Sequence, residues 1–377
     1  MTDLPLGAEP QVRSSGLGWL TRLALSPRFH GISRRIPGLR SISRHEGQAL
    51  FDLLSGFVQS QALMALVEMD VLTALRKGPQ RTAALAHAAG VTPDRMAILM
   101  QAAAALKLVR RGRDGGWHLA PRGAAFLTVP GLAAMVRHHR VLYRDLADPA
   151  AFLRGETTPE LAGFWPYVFG AGAAADPETA ATYSALMADS QGLVATDTLA
   201  VADFSGVRNL MDVGGGTGAF LTAVGRAVPG PHLTLFDLPA VVPGAKARFA
   251  EAGLTARTRI IAGSFRDDPL PVGADAISLI RVLYDHADST VAVLLAAVHE
   301  ALPPGGRLVI SEPMSGGRTP DRATDVYFAL YTLAMGTGRT RSASEIANLL
   351  RTAGFGAIRI HASQRPFVTQ VVTATRV

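Results

Sequence analysis

The stretch NLMDVGGGTGAFLTAV, residues 209–224, combines a short apolar run, a glycine turn and a helical pattern. This order predicts the first strand, turn and helix of a doubly wound α/β sheet of the Rossmann-like kind. Glycines at 214, 216 and 218 permit positive φ angles and let a ligand approach the backbone where a Cβ would collide. We therefore expect Gly214, Gly216 and Gly218 to line a site for a nucleotide-like ligand.

Two ligands compete for this turn. The run from Gly214 to Ala219 also satisfies the dinucleotide pattern, so NAD, and with it an oxidoreductase, stays in consideration. Asp212 precedes the first glycine, where a pyrophosphate would run, and a carboxylate there suits a cationic sulfonium better than a phosphate. Asp212 thus favours S-adenosylmethionine, with S-adenosylhomocysteine as the product.

Downstream of Gly206 the pattern alternates strand and helix, which predicts a parallel sheet with helical crossovers over residues 206–377. The predicted strands are Leu210–Val213, Leu233–Phe236, Arg259–Ala262, Ala276–Leu283, Arg307–Ser311, Ala357–His361 and Phe367–Thr373. In open α/β sheets the ligand lies at the carboxyl ends of the strands. Polar residues follow the first five predicted strands, which places the candidate site there.

Asp237 and the third strand supply the predicted cofactor contacts. Asp237 stands nineteen residues past Gly218 and directly before Leu238, where a carboxylate can accept hydrogen bonds from both ribose hydroxyls. An N-cap for the following helix is the alternative. Ser264 and Phe265 end the third strand and are expected to flank the adenine.

The segment Tyr284-Asp285-His286 ends the predicted fourth strand. Methyl transfer to oxygen requires in-line approach and a base that takes the hydroxyl proton. His286 titrates near neutrality and is the first choice for that base, while Asp285 also fits a helix-capping network. Glu312, before Pro313, is predicted to orient the base or to hold the acceptor hydroxyl. No metal site is predicted.

Residues 46–130 read as a mainly helical, winged-helix-like module. An apolar helix from Ala49 to about Leu75 and two short helices precede a ribbon around Asp114-Gly115-Gly116. Because winged-helix modules also bind DNA, a ligand-sensing DNA regulator is an alternative function for this chain. Residues 94–107, around the second short helix, hold one Arg and one Lys among several Ala, which favours a dimerisation platform over nucleic-acid binding. Residues 131–205 read as a helical linker that contributes to the substrate pocket.

The amino-acid composition excludes some kinds of chemistry and bears on where the protein works. The 377 residues are 48% hydrophobic and 18% charged, with no Cys, which excludes disulfides and thiolate chemistry and fits the cytoplasm. No apolar run is expected to reach the length of a membrane span. The leader, residues 1–45, holds seven Arg against two acids and so carries +5 of the net charge of +7. It is interpreted either as a peripheral contact with anionic membrane or as an arm packed on a dimer partner.

These motifs resemble the two-domain S-adenosylmethionine-dependent O-methyltransferases that include the plant caffeic acid and chalcone enzymes. The resemblance spans residues 48–376 and is carried by residues 212–218, 236–239, 281–288, 302–306 and Glu312. It implies a class I methyltransferase domain and a homodimer formed through the N-terminal domain. It also implies cofactor contacts from Gly214, Asp237, the region of Ser264 and Arg281, with Ser190 reaching the methionine moiety.

This chain departs from the plant enzymes at the base. Their fourth strand ends in His-Asp-Trp, where this chain has Tyr284-Asp285-His286, so the base is either displaced to His286 or replaced by Tyr284. Glu312 matches one of the family's two flanking acids. The second falls near Thr340 and is absent.

The leader and the variant at residues 283–286 are similar to carotenoid-modifying members of the family in purple phototrophic bacteria. That similarity implies an apolar acceptor, the C1 tertiary hydroxyl of a hydroxylated acyclic carotenoid, reached at the membrane. A phenolic or tetrapyrrole acceptor is the rival within the class, and a protein that keeps the cofactor site without catalysis is a further alternative.

Overall fold

A computed structural model describes residues 18–26, 37–164, 190–318 and 320–377. Its labelled helices are α1 (Trp19–Ala24), α2 (Pro37–Glu68), α3 (Val71–Arg76), α4 (Thr82–Ala89), α5 (Pro93–Ala105), α6 (Pro121–Thr128), α7 (Leu132–Asp145), α8 (Pro149–Leu153), α9 (Ala219–Ala227), α10 (Pro243–Glu251), α11 (Asp288–Ala301), α12 (Ala329–Ala334) and α13 (Ala343–Thr352). Its strands are β1 (Val109–Arg111), β2 (Trp117–Leu119), β3 (Asn209–Val213), β4 (His232–Asp237), β5 (Thr258–Ala262), β6 (Ala276–Ile280), β7 (Arg307–Glu312), β8 (Phe355–His361) and β9 (Gln370–Arg376). Residues 190–201 are helical as well, and a π-helical turn, Arg322–Phe328, leads into α12.

A seven-stranded mixed sheet forms the centre of the C-terminal half, in the order β5-β4-β3-β6-β7-β9-β8. β3 to β7 are parallel, as predicted, and the chain order reverses between β3 and β6. The expectation of a parallel sheet throughout is wrong at the far edge, where β9 runs antiparallel to both β7 and β8. The physical reason is the connection: residues 362–369 are too few for a helical crossover and return the chain as a hairpin.

Apolar helices cover both faces of this sheet. β6 is buried along its whole length, as expected for a parallel strand between two layers. On one face lie Val291, Leu294, Leu295 and Val298 of α11, and on the other Phe220, Leu221 and Val224 of α9, all at most 1% exposed. The two faces of the sheet are therefore mainly apolar, apart from buried hydroxyl and carboxyl groups such as Ser278 and Asp212.

The fourth strand is shorter than predicted. It ends at Ile280, because Arg281 takes a left-handed backbone with φ of 60° and residues Leu283–Asp285 coil into a 3₁₀ turn. The segment from residue 281 to 286 therefore bends across the carboxyl edge of the sheet and does not extend it.

The N-terminal half has its own core around Leu66, Met96, Met100 and Trp117, all nearly fully buried. The predicted ribbon is observed as the antiparallel pair β1 and β2. The single helix expected from Ala49 to Leu75 is two helices, because Asp70 adopts a φ of 50° between α2 and α3. α2 also begins at Pro37, inside the predicted leader, so the leader is described in part; residues 1–17 and 27–36 lie outside the described residues.

α2 carries a long apolar surface. Gly38–Glu68 is long enough to cross a membrane; an 18-residue stretch within it has a mean hydropathy of 1.4, and 17% of that stretch is buried. The expectation that no segment reaches that length is wrong on these criteria, because it considered unbroken apolar runs and α2 interleaves Gly, Ser and Gln. Large side chains exposed on α2 are Ile42, Leu50, Phe51, Leu53, Leu54, Phe57 and Val58.

α7 joins the two halves. Its Val141 and Leu142 share a cluster with Tyr331, Ala334 and Met335, which lie on or next to α12. The residues predicted as a helical linker over 131–205 are described except for 165–189, which lie outside the described residues. α7 thus places side chains of the N-terminal half beside the carboxyl edge of the sheet.

Candidate active site

A cavity that is open to solvent lies at the carboxyl ends of β3, β4 and β6, where the strand order reverses. Predicted site residues that line it are Gly214, Gly216, Asp237, Leu238, Ser264, Phe265, Arg281, Tyr284, Asp285 and His286. Lining residues that the sequence analysis missed are Gln191, Gly215, Thr217, Ala219, Val241, Gly263, Arg266, Ile280 and Val282. Asp212, Gly218, Ser190 and Glu312 do not line it, although each contacts a neighbouring part of the site.

The three glycines of the turn all have positive φ, from 61° to 74°. A Cβ on Gly214 would lie 2.9 Å from Val282 Cγ2, and one on Gly218 would lie 2.5 Å from Phe249 Cζ. A Cβ on Gly216 would meet no atom within 4 Å, since this position faces the cavity. The turn therefore leaves room at Gly216 for part of a nucleotide-like ligand.

Asp237 is fixed by the backbone of the same turn. Its Oδ2 accepts a hydrogen bond from the Gly216 amide at 2.6 Å, and Oδ1 accepts one from the Leu238 amide at 2.7 Å. Burial raises the pKa of Asp237 to about 6, against the opposing effect of these two bonds. Helix α10 begins at Pro243 with Val242 as its N-cap, so Asp237 is not a capping residue. A carboxylate held in this way keeps lone pairs for two ribose hydroxyls.

Ser264 and Phe265 form another wall of the cavity. Ser264 donates its amide hydrogen to Asp268 Oδ2 at 2.8 Å and its hydroxyl to Asp267 Oδ2 at 2.9 Å, which fixes the loop after β5. The ring of Phe265 meets His286 edge to face, with centroids 5.2 Å apart. The flat rings of Phe265 and His286 suit a purine at this end of the cavity.

Asp212 lies beneath the turn and not in the cavity, which corrects its expected position beside the ligand. Asp212 pairs with Ser278 across β3 and β6, and the Ser278 hydroxyl donates to Asp212 Oδ1 at 2.6 Å. The side chain is 0% exposed, and Oδ2 has no hydrogen-bond partner among the described residues. Burial raises the pKa of Asp212 to about 7.

Arg281 links three parts of the site. Its Nη1 donates to Ser190 Oγ at 2.7 Å, and its Nη2 donates to the Tyr284 hydroxyl at 3.3 Å. The amide of Arg281 donates to the Ser311 carbonyl at 2.8 Å, which holds the left-handed backbone in place. An arginine in this conformation is strained, a feature that concentrates at functional sites. Ser190 thus reaches the site through Arg281.

Glu312 contacts the backbone of the 3₁₀ turn at Leu283–Asp285 and does not face the cavity. Its Oε2 accepts hydrogen bonds from the amides of Leu283 at 2.9 Å and Tyr284 at 3.3 Å, and the residue is 0% exposed. Burial raises the pKa of Glu312 to about 7. Of its two expected roles, orientation fits this position, whereas contact with the acceptor hydroxyl does not. Asp285 does face the cavity, and burial raises its pKa well above the ordinary value.

His286 is held neutral, with one ring nitrogen engaged. Arg266 Nη2 lies 3.0 Å from His286 Nδ1, and since arginine only donates, Nδ1 accepts and the proton of the neutral ring sits on Nε2. Burial, then the charges of Arg266 and Arg341, lowers the pKa of His286 to about 3. This geometry disfavours His286 as the base. The alternative, Tyr284, has its pKa raised by burial and is a weak base as a neutral phenol.

Arg341 was not among the predicted site residues. It holds the segment from Leu283 to Asp288 from the side opposite Glu312. Its guanidinium is 1% exposed and donates to the carbonyls of Leu283 and His286 at 2.9 Å and to Asp288 Oδ1 at 2.6 Å. It stands next to Thr340, where the resemblance places a second acid. No local pattern could have indicated it, because its partners lie more than fifty residues earlier in the chain.

A glycine turn after the first strand, an acid ending the second and a polar turn after the fourth, at the reversal of such a sheet, fit a class I S-adenosylmethionine-dependent methyltransferase site. Comparison with known proteins refines this class. A sequence model of the O-methyltransferase domain matches residues 143–356, and one of the O-methyltransferase dimerisation domain matches residues 51–129.

Two relatives and one solved structure illustrate the similarity. The chain is 62% identical to demethylspheroidene O-methyltransferase of Cereibacter sphaeroides over 94% of both chains. It is 57% identical to the protein of that name from Rhodobacter capsulatus, over 98% of this chain and 92% of the relative. Human N-acetylserotonin methyltransferase in complex with S-adenosylmethionine superimposes with a TM-score of 0.74 at 25% identity, covering 88% of this chain and 97% of that one. This chain belongs to the S-adenosylmethionine-dependent O-methyltransferase family that carries an N-terminal dimerisation domain.

Replacement of Asp237 by asparagine should weaken cofactor binding. The amide would lack the charge that strengthens the hydrogen bonds of the carboxylate, an effect of about 1.5–3 kcal/mol, or about 10- to 150-fold in Kd. Titration calorimetry with S-adenosylhomocysteine measures the change, with Asp94→Asn, at an exposed position of α5, as the matched control. An unchanged Kd in Asp237→Asn would remove this residue from the cofactor site.

Replacement of Asp212 by asparagine should change how stability depends on pH. The folded protein holds the Asp212 proton more tightly than the unfolded chain, so this group lowers stability as pH rises from about 4 to 7. The amide of the variant has no proton to lose in this range. Relative to wild type, the free energy of unfolding of the ligand-free variant should improve by roughly 2 kcal/mol between pH 5 and pH 8. Denaturant unfolding at both pH values tests this, and an equal difference at the two would contradict it.

Proposed function

We propose that this protein transfers a methyl group to the C1 tertiary hydroxyl of a hydroxylated acyclic carotenoid of the demethylspheroidene or hydroxyneurosporene kind. The observation that carries the proposal is the identity of 62% and 57%, over nearly the whole chain, to two proteins named demethylspheroidene O-methyltransferase. The rival acceptors, phenols and tetrapyrroles, find no comparable support. The glycine turn and Asp237 suit a methyl donor equally well for all of these acceptors, so the acceptor rests on the relatives.

The cofactor would be held by residues around the whole cavity. The turn at Gly216 and the carboxylate of Asp237 would take the ribose, and Ser264 and Phe265 would flank the adenine. Arg281 and Ser190 would reach the amino acid end of the ligand.

When bound, S-adenosylmethionine supplies a methyl group on a positively charged sulfur. Asp285 lines the cavity and Asp212 lies beneath its glycine turn; both are buried carboxyls, and one oxygen of each has no hydrogen-bond partner among the described residues. Such carboxyls favour a cation beside them, because an opposite charge stabilises their ionised form.

The chain's own contribution is to exclude water and to orient the alcohol. Leu238, Phe265, Ile280 and Val282 supply apolar walls that help to exclude water from the cavity. Asp285 and Tyr284 supply polar groups at the rim of the turn. A tertiary alcohol is a weak acid, so its proton has to be taken as the new bond forms.

A homodimer is the second part of the proposal. The dimerisation domain match begins at residue 51, within α2, and the exposed apolar side chains of α2 form a face larger than a stable monomer normally leaves in water. A second copy of this chain would cover that face.

The third part concerns the membrane. The basic leader and exposed apolar groups of α1 and its end, Trp19 at 73% and Leu25 at 67% exposure, suit peripheral contact with an anionic surface. A carotenoid resides in the bilayer, so an enzyme that works at the cytoplasmic face of the inner or intracytoplasmic membrane gains direct access to its acceptor.

Methyl-labelled S-adenosylmethionine should label 1-hydroxyneurosporene in liposomes containing the purified protein. Transfer should be faster from anionic than from neutral vesicles, because the leader carries +5. A chain without residues 1–45 serves as the control and should lose this preference. Label in a panel of phenols and chlorophyllides, with none in the carotenoid, would overturn the acceptor assignment.

Replacement of Phe57 by glutamate should yield monomers. Phe57 is 67% exposed on α2, and a charge there would be buried without a partner in the dimer, which costs several kcal/mol. Light scattering after size exclusion measures the mass. Val293→Glu, at a similarly exposed position on α11, should remain dimeric. A dimeric Phe57→Glu variant would place the interface elsewhere.

A further inference from the structure

Two His–Tyr pairs join α7 to the helical segment that ends in α12. His138 Nε2 lies 2.8 Å from the Tyr331 hydroxyl, and His139 Nε2 lies 2.6 Å from the Tyr327 hydroxyl. The members of each pair are nearly two hundred residues apart. They are polar groups at the border of an apolar cluster formed by Val141, Leu142, Phe152, Leu161, Ala334 and Met335. Burial of polar groups at such a place costs free energy unless both partners are hydrogen-bonded, as they are in each of these pairs.

The backbone around the pairs is unusual. Residues 322–328, which include Tyr327, form a π-helical turn directly before α12. Such turns are rare and frequently occur at functional sites. Tyr331 follows one turn later and is 5% exposed.

The His138–Tyr331 pair lies next to the turn that carries Tyr284 and Asp285. Gly338 is wedged between the Tyr284 carbonyl and Thr332, the neighbour of Tyr331, and the Arg339 amide donates to that carbonyl at 2.8 Å. The pKa of Tyr331 is raised by burial and then by the nearby Tyr327 and Tyr284, while Arg281 opposes them. Tyr331 is therefore within electrostatic reach of the residues that border the cavity.

His138 is uncharged, as a proton acceptor must be. Burial lowers its pKa below the ordinary value for histidine, so the ring is neutral at physiological pH. By contrast, the unprotonated nitrogen of His286 already accepts from Arg266, and Tyr284 is a protonated phenol in contact with Arg281. The expected base at the end of the fourth strand is thus poorly placed to act, and another proton acceptor is required.

We propose that His138 is the proton acceptor of the methyl transfer and that Tyr331 relays the proton to it from the acceptor hydroxyl. This inference rests on the proposed methylation of an alcohol. The hydroxyl proton moves to the Tyr331 oxygen as Tyr331 passes its own proton to His138 Nε2. The electron pair left on the acceptor oxygen forms the bond to the methyl carbon, and the pair of the carbon–sulfur bond stays on sulfur. One positive charge disappears from the sulfonium and one appears on the imidazolium, so the net charge of the site is unchanged.

Single-turnover kinetics with the carotenoid compare wild type with His138→Gln and Tyr331→Phe. Each variant should lower the transfer rate by ~10²–10⁴-fold, and the double variant should fall no further, because the two residues act as a unit. Calorimetry with S-adenosylhomocysteine should show an unchanged Kd, which confirms that the variants are folded. His139→Gln, in the neighbouring pair, should retain the rate within a few fold.

The pH profile separates a proton acceptor from a structural residue. The wild-type rate should rise with pH along a limb below pH 6.5, because the pKa of His138 is lowered, and the limb should vanish in His138→Gln. The titratable or charged groups near the pair are His139, Tyr327, Tyr284, Arg281 and Asp285. A limb that persists in His138→Gln would assign it to one of these and contradict the proposal.

Nitrogen NMR of the histidine-labelled, full-length protein gives a readout that needs no turnover. His138 Nε2 should resonate as an unprotonated nitrogen that accepts a hydrogen bond, and Tyr331→Phe should shift it. A protonated Nε2 would reverse the direction of the bond and exclude the relay. If the wild-type protein transfers no label to the carotenoid, the proposed function fails; if it transfers label and both variants keep the rate, only the relay fails.

Discussion

Two buried ionisable side chains hold the turn at residues 281–288, and the arrangement of the cavity depends on them. Glu312 accepts from the amides of Leu283 and Tyr284, while Arg341 donates to the carbonyls of Leu283 and His286 and to Asp288. Backbone amides offset the burial of Glu312, whereas backbone carbonyls and the carboxylate of Asp288 together offset the burial of Arg341. The backbone of the turn is thereby fixed from two sides, so that its side chains can face the ligand. The strained φ of Arg281 persists because this surrounding structure determines it.

Burial shifts the pKa values of the ionisable groups in and around the cavity. Asp212, Asp285 and Glu312 are buried carboxyls with raised pKa values, and His286 is a buried imidazole with a lowered one. Desolvation acts on all four in the direction that removes charge. The arrival of a cationic ligand would favour the ionised carboxyls, so binding of the cofactor is expected to release protons.

Local patterns in the sequence predicted the parts of the site that are built locally. The glycine turn and Asp237 follow strands whose apolar runs are visible in the sequence, and the structure brings both to one cavity. The side chain of Asp212 was misplaced because its partner, Ser278, is on a strand that only the fold brings alongside. The clamp by Arg341 and the contact of His138 with Tyr331 depend on tertiary packing between segments far apart, and no periodicity encodes that. The antiparallel edge and the early start of α2 were missed because weak apolar patterns there fit more than one structure.

The three glycines of the turn are not equivalent. At Gly214 and Gly218 the missing side chain makes room for Val282 and Phe249, which belong to the protein itself, whereas at Gly216 it leaves empty space. Gly214 and Gly218 are therefore required by the fold itself, whereas Gly216 is required by the ligand that binds there. A sequence that drifted away from methyl transfer while keeping this fold would be constrained at two of the three positions and released, apart from its backbone angle, at the other.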